Sequence, residues 1–363
     1  MPTFVHTGDI HLDSSFSAHF SAERAELRRN EVLRCVSEIV RLAAGVDILL
    51  IAGDLFDGSR VSRNTVAYLK RKFAEIPNTR IFIAAGNHDP YTADSVYARE
   101  NLGDNVYVFG TVPECVEIPE LNTRVHGVSF CAGNVGRIEM PRIEKKSGVY
   151  DIMLLHADMS GGDMYNPIDR TFIEGCGADY LALGHIHKRT EPSRCGKTWY
   201  AYCGIPEGRG FDECGDMGCY LGELTDGMVR VEFVRTCIRR MFRLTADISG
   251  AADTRQAADI IRRLMTENGT ADDIYRVILT GRVAAGIVSI DIIREELKNS
   301  ASYAEFRDET RRTYNYKALS EEDSLCGEFI RMLNRMTEEG SVDTEISAMA
   351  MDMGIEALLG GDA

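Results

Sequence analysis

Most of what would take this chain out of the ordinary globular class is missing from it. Its 363 residues hold no uninterrupted apolar run near the ~18 residues that a membrane span requires. Proline is scarce, at 9 against 33 glycines, which excludes a collagen-like or proline-rich extended chain. Ten cysteines contain no C-x-x-C pair, so neither a disulfide scaffold nor a common zinc pattern is present. The densest group, Cys195, Cys203, Cys214 and Cys219, has separations of 8, 11 and 5, and free, partly buried thiols are expected there. Basic charge is also short, with 41 Lys and Arg against 56 Asp and Glu, a net charge of −15. A chain this acidic is a poor stand-alone binder of nucleic acid, because Lys and Arg supply most of the affinity for phosphates. The imbalance is uneven: net −8 over 1–238, +2 over 239–318 and −9 over 319–363. The opening MPTFVHTGDIHLD lacks the features of a signal peptide, so the reducing cytoplasm is the expected compartment.

What is present is strand and helix in alternation. Five short apolar runs break off at Gly, Asp, His or Asn: TFVHTGDIH (3–11), DILLIAGD (47–54), RIFIAAGNHD (80–89), DIMLLHAD (151–158) and DYLALGHIH (179–187). Their length and β-branched content predict buried strands. In residues 22–45, Leu27, Val32, Cys35, Val36, Ile39, Val40 and Ala43 recur at helical spacing, with Gly45 placed as a C-cap. A second helix is predicted over 63–76. The alternation means an α/β layered domain. Beyond residue 105, strands follow one another with fewer helices, which favours a mixed sheet or two packed sheets. Residues 239–318 read as a βαβαβ unit, with strands over 241–248, 274–283 and 304–315 and helices over 254–267 and 289–299. The expected organisation is therefore 1–238, a small second domain over 239–318, and a helical tail over 319–363.

The chemistry stands at the strand ends. In order these carry Asp9-x-His11, Gly53-Asp54, Gly86-Asn87-His88-Asp89, His156 and Gly184-His185-x-His187. Five of the eight histidines occupy these slots. Strand C-termini are where α/β folds gather ligand-binding groups. Each motif alone is weak, since a G-D or H-x-H is a common turn or strand end. Five in succession, each after an apolar strand, make a site. Carboxylate, imidazole and amide oxygens without thiolates suit Mn²⁺, Fe²⁺ or Zn²⁺. The donors outnumber what one ion takes, and two ions sharing a carboxylate would use them all.

GDIH, GDLFD, GNHD, LLHAD and GHIH resemble the five blocks of the calcineurin-like metallophosphoesterases over residues 3–222. HTGDIHLDSSF, IAGDLFD, AAGNHD and LALGHIHKR are most similar to the SbcD-type DNA repair exonucleases, and among these to their YhaO-like bacterial relatives. WYAYCGIPEGRGFDECGDMGCYLGEL (199–224) resembles the segment that follows GHIH in those nucleases. The resemblance implies an α/β/β/α sandwich, a small α/β capping domain over 239–318 and a helical C-terminal tail. It implies two divalent ions, most readily Mn²⁺. Asp9, His11, Asp54 and His187 would hold one, and Asp54, Asn87, His156 and His185 the other. His88 would face the scissile phosphate. Archaeal and eukaryotic nucleases of the group carry histidine where this chain has Asp57, so position 57 is left out of the expected catalytic set.

The implied activity is hydrolysis of DNA phosphodiester bonds, as an exonuclease with or without single-strand endonuclease action, in repair or recombination. The implied partners are DNA, a coiled-coil SbcC-type ATPase and a second copy of the chain as a homodimer. The competing expectations are a phosphodiesterase or phosphatase acting on a small molecule or phosphoprotein, and a regulatory subunit of an ATPase complex. His6 is expected to be a packed histidine, and His126 has no evident partner. Arg142, Lys145 and Lys146 are expected to be a solvated loop or to track a DNA backbone. In the second domain, alternation would put Arg307 and Arg311 on one side of a strand and Arg312 on the other. In the tail, Leu325, Phe329, Met332, Leu333 and Met336 are predicted to form one apolar helix face. Ile346, Met349, Met353, Ala357 and Leu358 are predicted to form a second, Met-rich one.

Overall fold

Serines open the first two long helices. The Ser21 hydroxyl accepts from the Arg24 N–H at the start of α1 (Ala22–Ala43), and that of Ser62 accepts from the Thr65 N–H at 3.0 Å at the start of α2 (Arg63–Ala74). In the computed structural model, which describes residues 1–18, 20–225, 228–284 and 288–359, these helices flank two sheets of six strands each. α1 ends at Ala43 with Ala44 as C-cap, one residue before Gly45. Leu27 lies outside its buried face and is half exposed.

The first sheet contains β1 (Thr3–Thr7), β2 (Ile48–Ala52), β3 (Arg80–Ala84) and β4 (Val106–Val108) as parallel neighbours. The second contains β5 (Glu114–Ile118), β6 (Thr123–Gly127), β7 (Tyr150–His156), β8 (Tyr180–Gly184), β9 (Ser193–Cys195) and β10 (Thr198–Tyr202), in the order β5-β6-β7-β8-β10-β9. β11 (Gly218–Thr225) and β12 (Met228–Arg235) return antiparallel to extend the first sheet beyond β1. Short helices α3 (Val96–Arg99) and α4 (Arg170–Gly175) complete this part.

Alternation decides the layering. Phe4, Leu50, Ala52 and Phe82 of the first sheet pack on Val125, Leu154, Tyr180 and Ala182 of the second, one apolar layer with no charge in it. The opposite side chains of β7 and β8, Met153, Leu155, Leu181 and Leu183, pack with Ile173 of α4. The result is an α/β/β/α sandwich. Because β1, β2 and β3 are parallel, as are β7 and β8, their C-terminal ends open at common edges of the two sheets.

The described chain divides into two compact units, Met1–Phe242 and Arg243–Ala363. In the second, a three-stranded sheet is ordered β13 (Met241–Asp247), β14 (Ile274–Thr280), β16 (Tyr303–Asp308). A two-stranded ribbon joins β15 (Arg282–Val283) to β17 (Arg311–Arg312). Helices α5 (Thr254–Asn268) and α6 (Ile290–Glu296) connect the strands. The strand predicted over 304–315 is thus two strands, broken by a turn in which Asp308 accepts from the Thr310 N–H and hydroxyl. A single alternation therefore does not relate Arg307 to Arg311 and Arg312.

After α7 (Tyr316–Ser320), helices α8 (Leu325–Glu338) and α9 (Thr344–Leu359) pack together through Cys326, Ile330, Leu333, Met351 and Ile355. The apolar face predicted for α8 is split, with Leu333 buried and Leu325 and Met332 exposed. That of α9 points outward, with Ile346, Met349, Met353 and Leu358 all exposed. No helix among the described residues is long and apolar enough to cross a membrane.

Candidate metal centre

The loops after the parallel strands are tied to one another before any side chain is considered. Asp9 N–H donates to Gly53 O, His11 N–H to Asp54 O and Asp57 N–H to Leu12 O, each at 2.9 Å. These bonds hold Asp9, His11 and Asp54 in the left-handed region, with φ of 51°, 51° and 47°. His185 is also at positive φ, 100°. Such conformations cost on the order of 1–3 kcal/mol each and persist where the surroundings over-determine them. Two glycines make the close approach possible. A Cβ at Gly53 would overlap the His156 ring, and one at Gly86 the Asp54 carboxylate.

All seven residues expected to hold metal converge. Asp9, His11 and His187 offer ligand atoms within 4.8 Å of one another, as do Asp9, Asp54 and His156. Asp54 lies between the two halves, its Oδ2 3.8 Å from His11 Nε2 and 3.6 Å from His156 Nε2. Asn87 Oδ1 is 2.8 Å from His156 Nε2 and 3.1 Å from His185 Nδ1. The Asp9 carboxylate accepts from the His185 N–H at 3.0 Å.

The tautomers show what this geometry suits. His11 Nδ1 is 3.0 Å from Asp57 Oδ1, and His187 Nδ1 is 2.6 Å from Glu213 Oε1. A ring that gives its Nδ1–H to a carboxylate presents its Nε2 for ligation, and these two Nε2 atoms lie 3.1 Å apart. His156 likewise gives Nδ1–H to Ala52 O at 2.9 Å and turns an unprotonated Nε2 toward the Asn87 oxygen. Such ring nitrogens, gathered beside the Asn87 oxygen and the Asp9 and Asp54 carboxylates, are the donors that a cation in each half would take. The donor set therefore fits two divalent ions with Asp54 common to both.

Burial sets the protonation states to match. Burial and the neighbouring Asp54 carboxylate push Asp9 well above the usual carboxylate range. Burial also acts on Asp54, but His156, His11 and the His88 N–H outweigh it and hold this carboxyl low. Burial lowers His11 and His185 to about 4, and lowers His156 too, so their imidazoles are neutral and able to ligate.

His88 differs from these. Its side chain is 43% exposed, whereas those of His11 and His156 are fully buried. Asp57 raises its pKa, with Asp54 adding to the effect against partial burial. Asp89, the next residue, is turned away and accepts from the N–H groups of Phe56 and Gly86 and from the Tyr97 hydroxyl. Burial and Asp54 raise Asp89 to about 6.

Two residues at the centre, Arg209 and Glu213, escaped the sequence reading, and a third, Asp57, was left out of the expected catalytic set. Asp57 groups with His11 and His88, and Arg209 and Glu213 reach Asp57 and His187 from the loop after β10. The available signal was the run Gly-Arg-Gly-Phe-Asp-Glu (208–213) soon after GHIH. Tyr165, also unflagged, lies against His185 with ring centroids 4.8 Å apart.

Residues singled out elsewhere have structural partners. His6 is fully buried, with Nδ1 2.9 Å from the Tyr180 hydroxyl and Nε2 3.2 Å from Leu183 O. His126 pairs with Asp151 at 3.0 Å. Lys145 bridges Asp151 and Asp179, and Lys146 pairs with Glu117. Cys195, Cys203, Cys214 and Cys219 are free thiols.

The sequence profile of the calcineurin-like phosphoesterases matches residues 2–189. The uncharacterized metallophosphoesterase YhaO of Bacillus subtilis is 30% identical over 247 residues, 64% of this chain and 60% of that protein. The DNA double-strand break repair protein Mre11 of Methanopyrus kandleri is 26% identical over 259 residues, 63% of this chain and 56% of that protein. The chain thus spans less than two thirds of the length of these relatives.

Proposed function

The chain belongs to the calcineurin-like phosphoesterases, and on that premise we propose that it is a two-metal phosphodiesterase that cleaves DNA. Its action is exonucleolytic, and the same site would serve single-strand endonuclease cleavage. The observation that carries the reading is the convergence of carboxylate, amide and imidazole donors beside one exposed histidine, His88, whose pKa Asp57 raises. Asp9, His11, Asp54 and His187 would hold one ion, and Asp54, Asn87, His156 and His185 the other. When bound, such a pair activates a water near neutral pH and neutralises charge on the phosphoryl oxygens. His88 holds its proton toward the open side of the centre, where a leaving alkoxide needs it. The second compact unit and the 199–224 loop exceed what a minimal phosphatase requires, and the similarity to the Methanopyrus repair protein points the same way.

Mn²⁺ is the proposed native ion and the cytoplasm the proposed compartment. The proposed partners are DNA, a second copy of the chain and a coiled-coil SbcC-type ATPase, the last docking on the exposed apolar face of α9. An acidic enzyme gains from a partner that supplies phosphate-binding surface.

One observation favours a second reading, a diesterase for a small substrate. Lys145 and Lys146 are already paired with carboxylates, which leaves Arg142 alone of the cluster that would have tracked a DNA backbone. End-labelled DNA and bis-p-nitrophenyl phosphate, assayed in parallel with Mn²⁺, Mg²⁺ and Zn²⁺, separate the two. Cleavage of both substrates supports the nuclease, and cleavage of the small diester alone supports the second reading. A metal-loaded protein inert toward every diester overturns both and leaves a regulatory subunit.

A further inference from the structure

We propose that Arg209 and Glu213 are positioning residues that orient the histidines of the centre, a role that rests on the phosphodiesterase reading above. Neither residue belongs to the candidate ligand groups, yet between them, directly or through Asp57, they reach three rings of the centre. Glu213 uses both carboxylate oxygens. Oε1 takes the Nδ1–H of His187 at 2.6 Å, and Oε2 takes the Arg209 N–H at 2.6 Å. Arg209 then extends Nη1 to Asp57 Oδ1 at 3.0 Å. That same oxygen is 3.0 Å from His11 Nδ1 and 3.3 Å from His88 Nδ1. Three positive or proton-bearing groups therefore share one carboxylate oxygen, and the loop holds one of the three.

The loop is anchored well enough to impose geometry. Glu207 accepts from Arg28 Nη2 at 2.7 Å and from the Ile238 N–H at 2.5 Å. Gly208 O accepts from the same guanidinium at 2.7 Å, and Pro206 O from the Cys35 thiol at 3.3 Å. These partners lie on or beside α1 and β12, so the fold sets where the loop sits.

The alternative is an ordinary i,i+4 surface pair between Arg209 and Glu213. The bonding argues otherwise. Arg209 Nε is 3.9 Å from the Glu213 carboxylate and makes no hydrogen bond, while Nη1 reaches a residue 152 positions away in sequence. Glu213 is buried to 8% exposure, and its side chain serves His187.

The two residues act on different parts. Glu213 fixes the tautomer and ring plane of His187, and so bears on one ion. Arg209 fixes Asp57, and so bears on His88. Carboxylates that orient ligand histidines typically contribute about 10–100-fold to metal affinity or activity.

The test uses the full chain, with Mn²⁺ as probe and three readouts. These are Mn²⁺ titration calorimetry, steady-state hydrolysis of bis-p-nitrophenyl phosphate, and the imidazole Cε1–H resonance of His88 in metal-free protein, assigned with His88→Ala. Glu213→Ala should weaken one of two Mn²⁺ by about 10–100-fold and leave the other unchanged. Glu213→Gln keeps an acceptor oxygen for His187 and should recover most of that loss. Arg209→Ala should keep both ions, displace the His88 resonance and lower kcat by about tenfold or more with KM unchanged. Arg209→Lys should restore part of it.

Wild-type ion binding in Glu213→Ala, or equal losses in Glu213→Ala and Glu213→Gln, overturns the role of Glu213. An unmoved His88 resonance in Arg209→Ala overturns that of Arg209. A wild-type chain that binds two Mn²⁺ but cleaves no diester overturns the phosphodiesterase reading instead, and the calorimetric and resonance comparisons still decide the positioning roles.

Discussion

His88 Nδ1 stands 3.3 Å from Asp57 Oδ1, while the backbone N–H of His88 donates to Asp54 Oδ1 at 2.9 Å. One carboxylate thus holds the ring and another holds the chain beneath it. The second lies between the two halves of the candidate metal centre, so the ring is indexed to the donor cluster rather than to the protein surface. Asp57 also favours the protonated ring, which is the form that can donate to a leaving oxygen.

His88→Ala is therefore expected to keep both ions and lose on the order of 10²–10⁴-fold in turnover, the range for a lost general acid. Asp54→Ala removes a ligand from each half and should bind neither ion tightly. Metal analysis beside diester kinetics checks both variants. A His88→Ala protein found empty of metal would reverse the assigned roles.

Removing metal should destabilise the first unit. Without cations, the Asp9 and Asp54 carboxyls lie buried together, and the Nε2 atoms of His11 and His187 crowd to 3.1 Å. Mn²⁺ at 100 times its dissociation constant would add about 2.7 kcal/mol per site, visible as a higher Tm that EDTA reverses. Asp54→Asn should lose most of that response.

The convergence of the expected donors was legible because each stands at or just past the end of a mainly apolar strand, and parallel strands leave their ends together. Asp9, Asp54 and His156 need only the strand pattern and a glycine nearby to be found. Asp57 closes the GDLFD block and was set aside because related nucleases carry histidine there, whereas Arg209 and Glu213 carry no such mark. They meet through loop geometry, and a lone Asp, Arg or Glu in a loop is by far more often solvated. Which apolar face of each tail helix is covered was not legible, for a related reason. Periodicity finds apolar stripes but not which stripe is covered. In α8 the covered stripe runs through Cys326, Ile330 and Leu333, and in α9 through Ser347, Met351 and Ile355, so a serine lies inside while Met349 and Met353 lie outside.

Asp151 supplies a pH test away from the centre. It is fully buried and accepts from Arg124 Nε at 2.8 Å, His126 Nε2 at 3.0 Å and Lys145 Nζ at 3.0 Å. Burial alone would raise it, but these donors outweigh burial and lower it to about 2 from 3.8. A carboxyl lowered on folding stabilises the fold above its ordinary pKa, and that contribution fades as pH falls from about 4 to about 2. Asp151→Asn leaves Arg124 without its carboxylate and should cost about 3 kcal/mol at neutral pH. It should also flatten the loss of stability across the acid window. Urea unfolding at a series of pH values checks the sign, and an unchanged acid slope would remove Asp151 from the account.

The apolar face of α9 gives the test of the partner. Removing everything after Ser320 is a poor experiment, because Tyr314, Tyr316 and Leu319 pack on Cys326, Ile330, Leu333, Met351 and Ile355 and would be stripped of cover. Surface substitutions avoid that cost. Met349 and Met353 are 66% and 69% exposed, so Met349→Lys with Met353→Lys should leave the thermal transition in place. Ile346 and Met349 stand three residues apart and Met353 four further on, the spacing by which a helix seats its anchors in a groove. Methionine adapts to such a groove, and two ammonium groups in its place must be desolvated to enter it. The net −9 over 319–363 also favours a basic surface on whatever docks there. The double variant should keep wild-type hydrolysis of bis-p-nitrophenyl phosphate and fail to co-purify with the coiled-coil ATPase. Retained co-purification would place the partner on another surface of the chain.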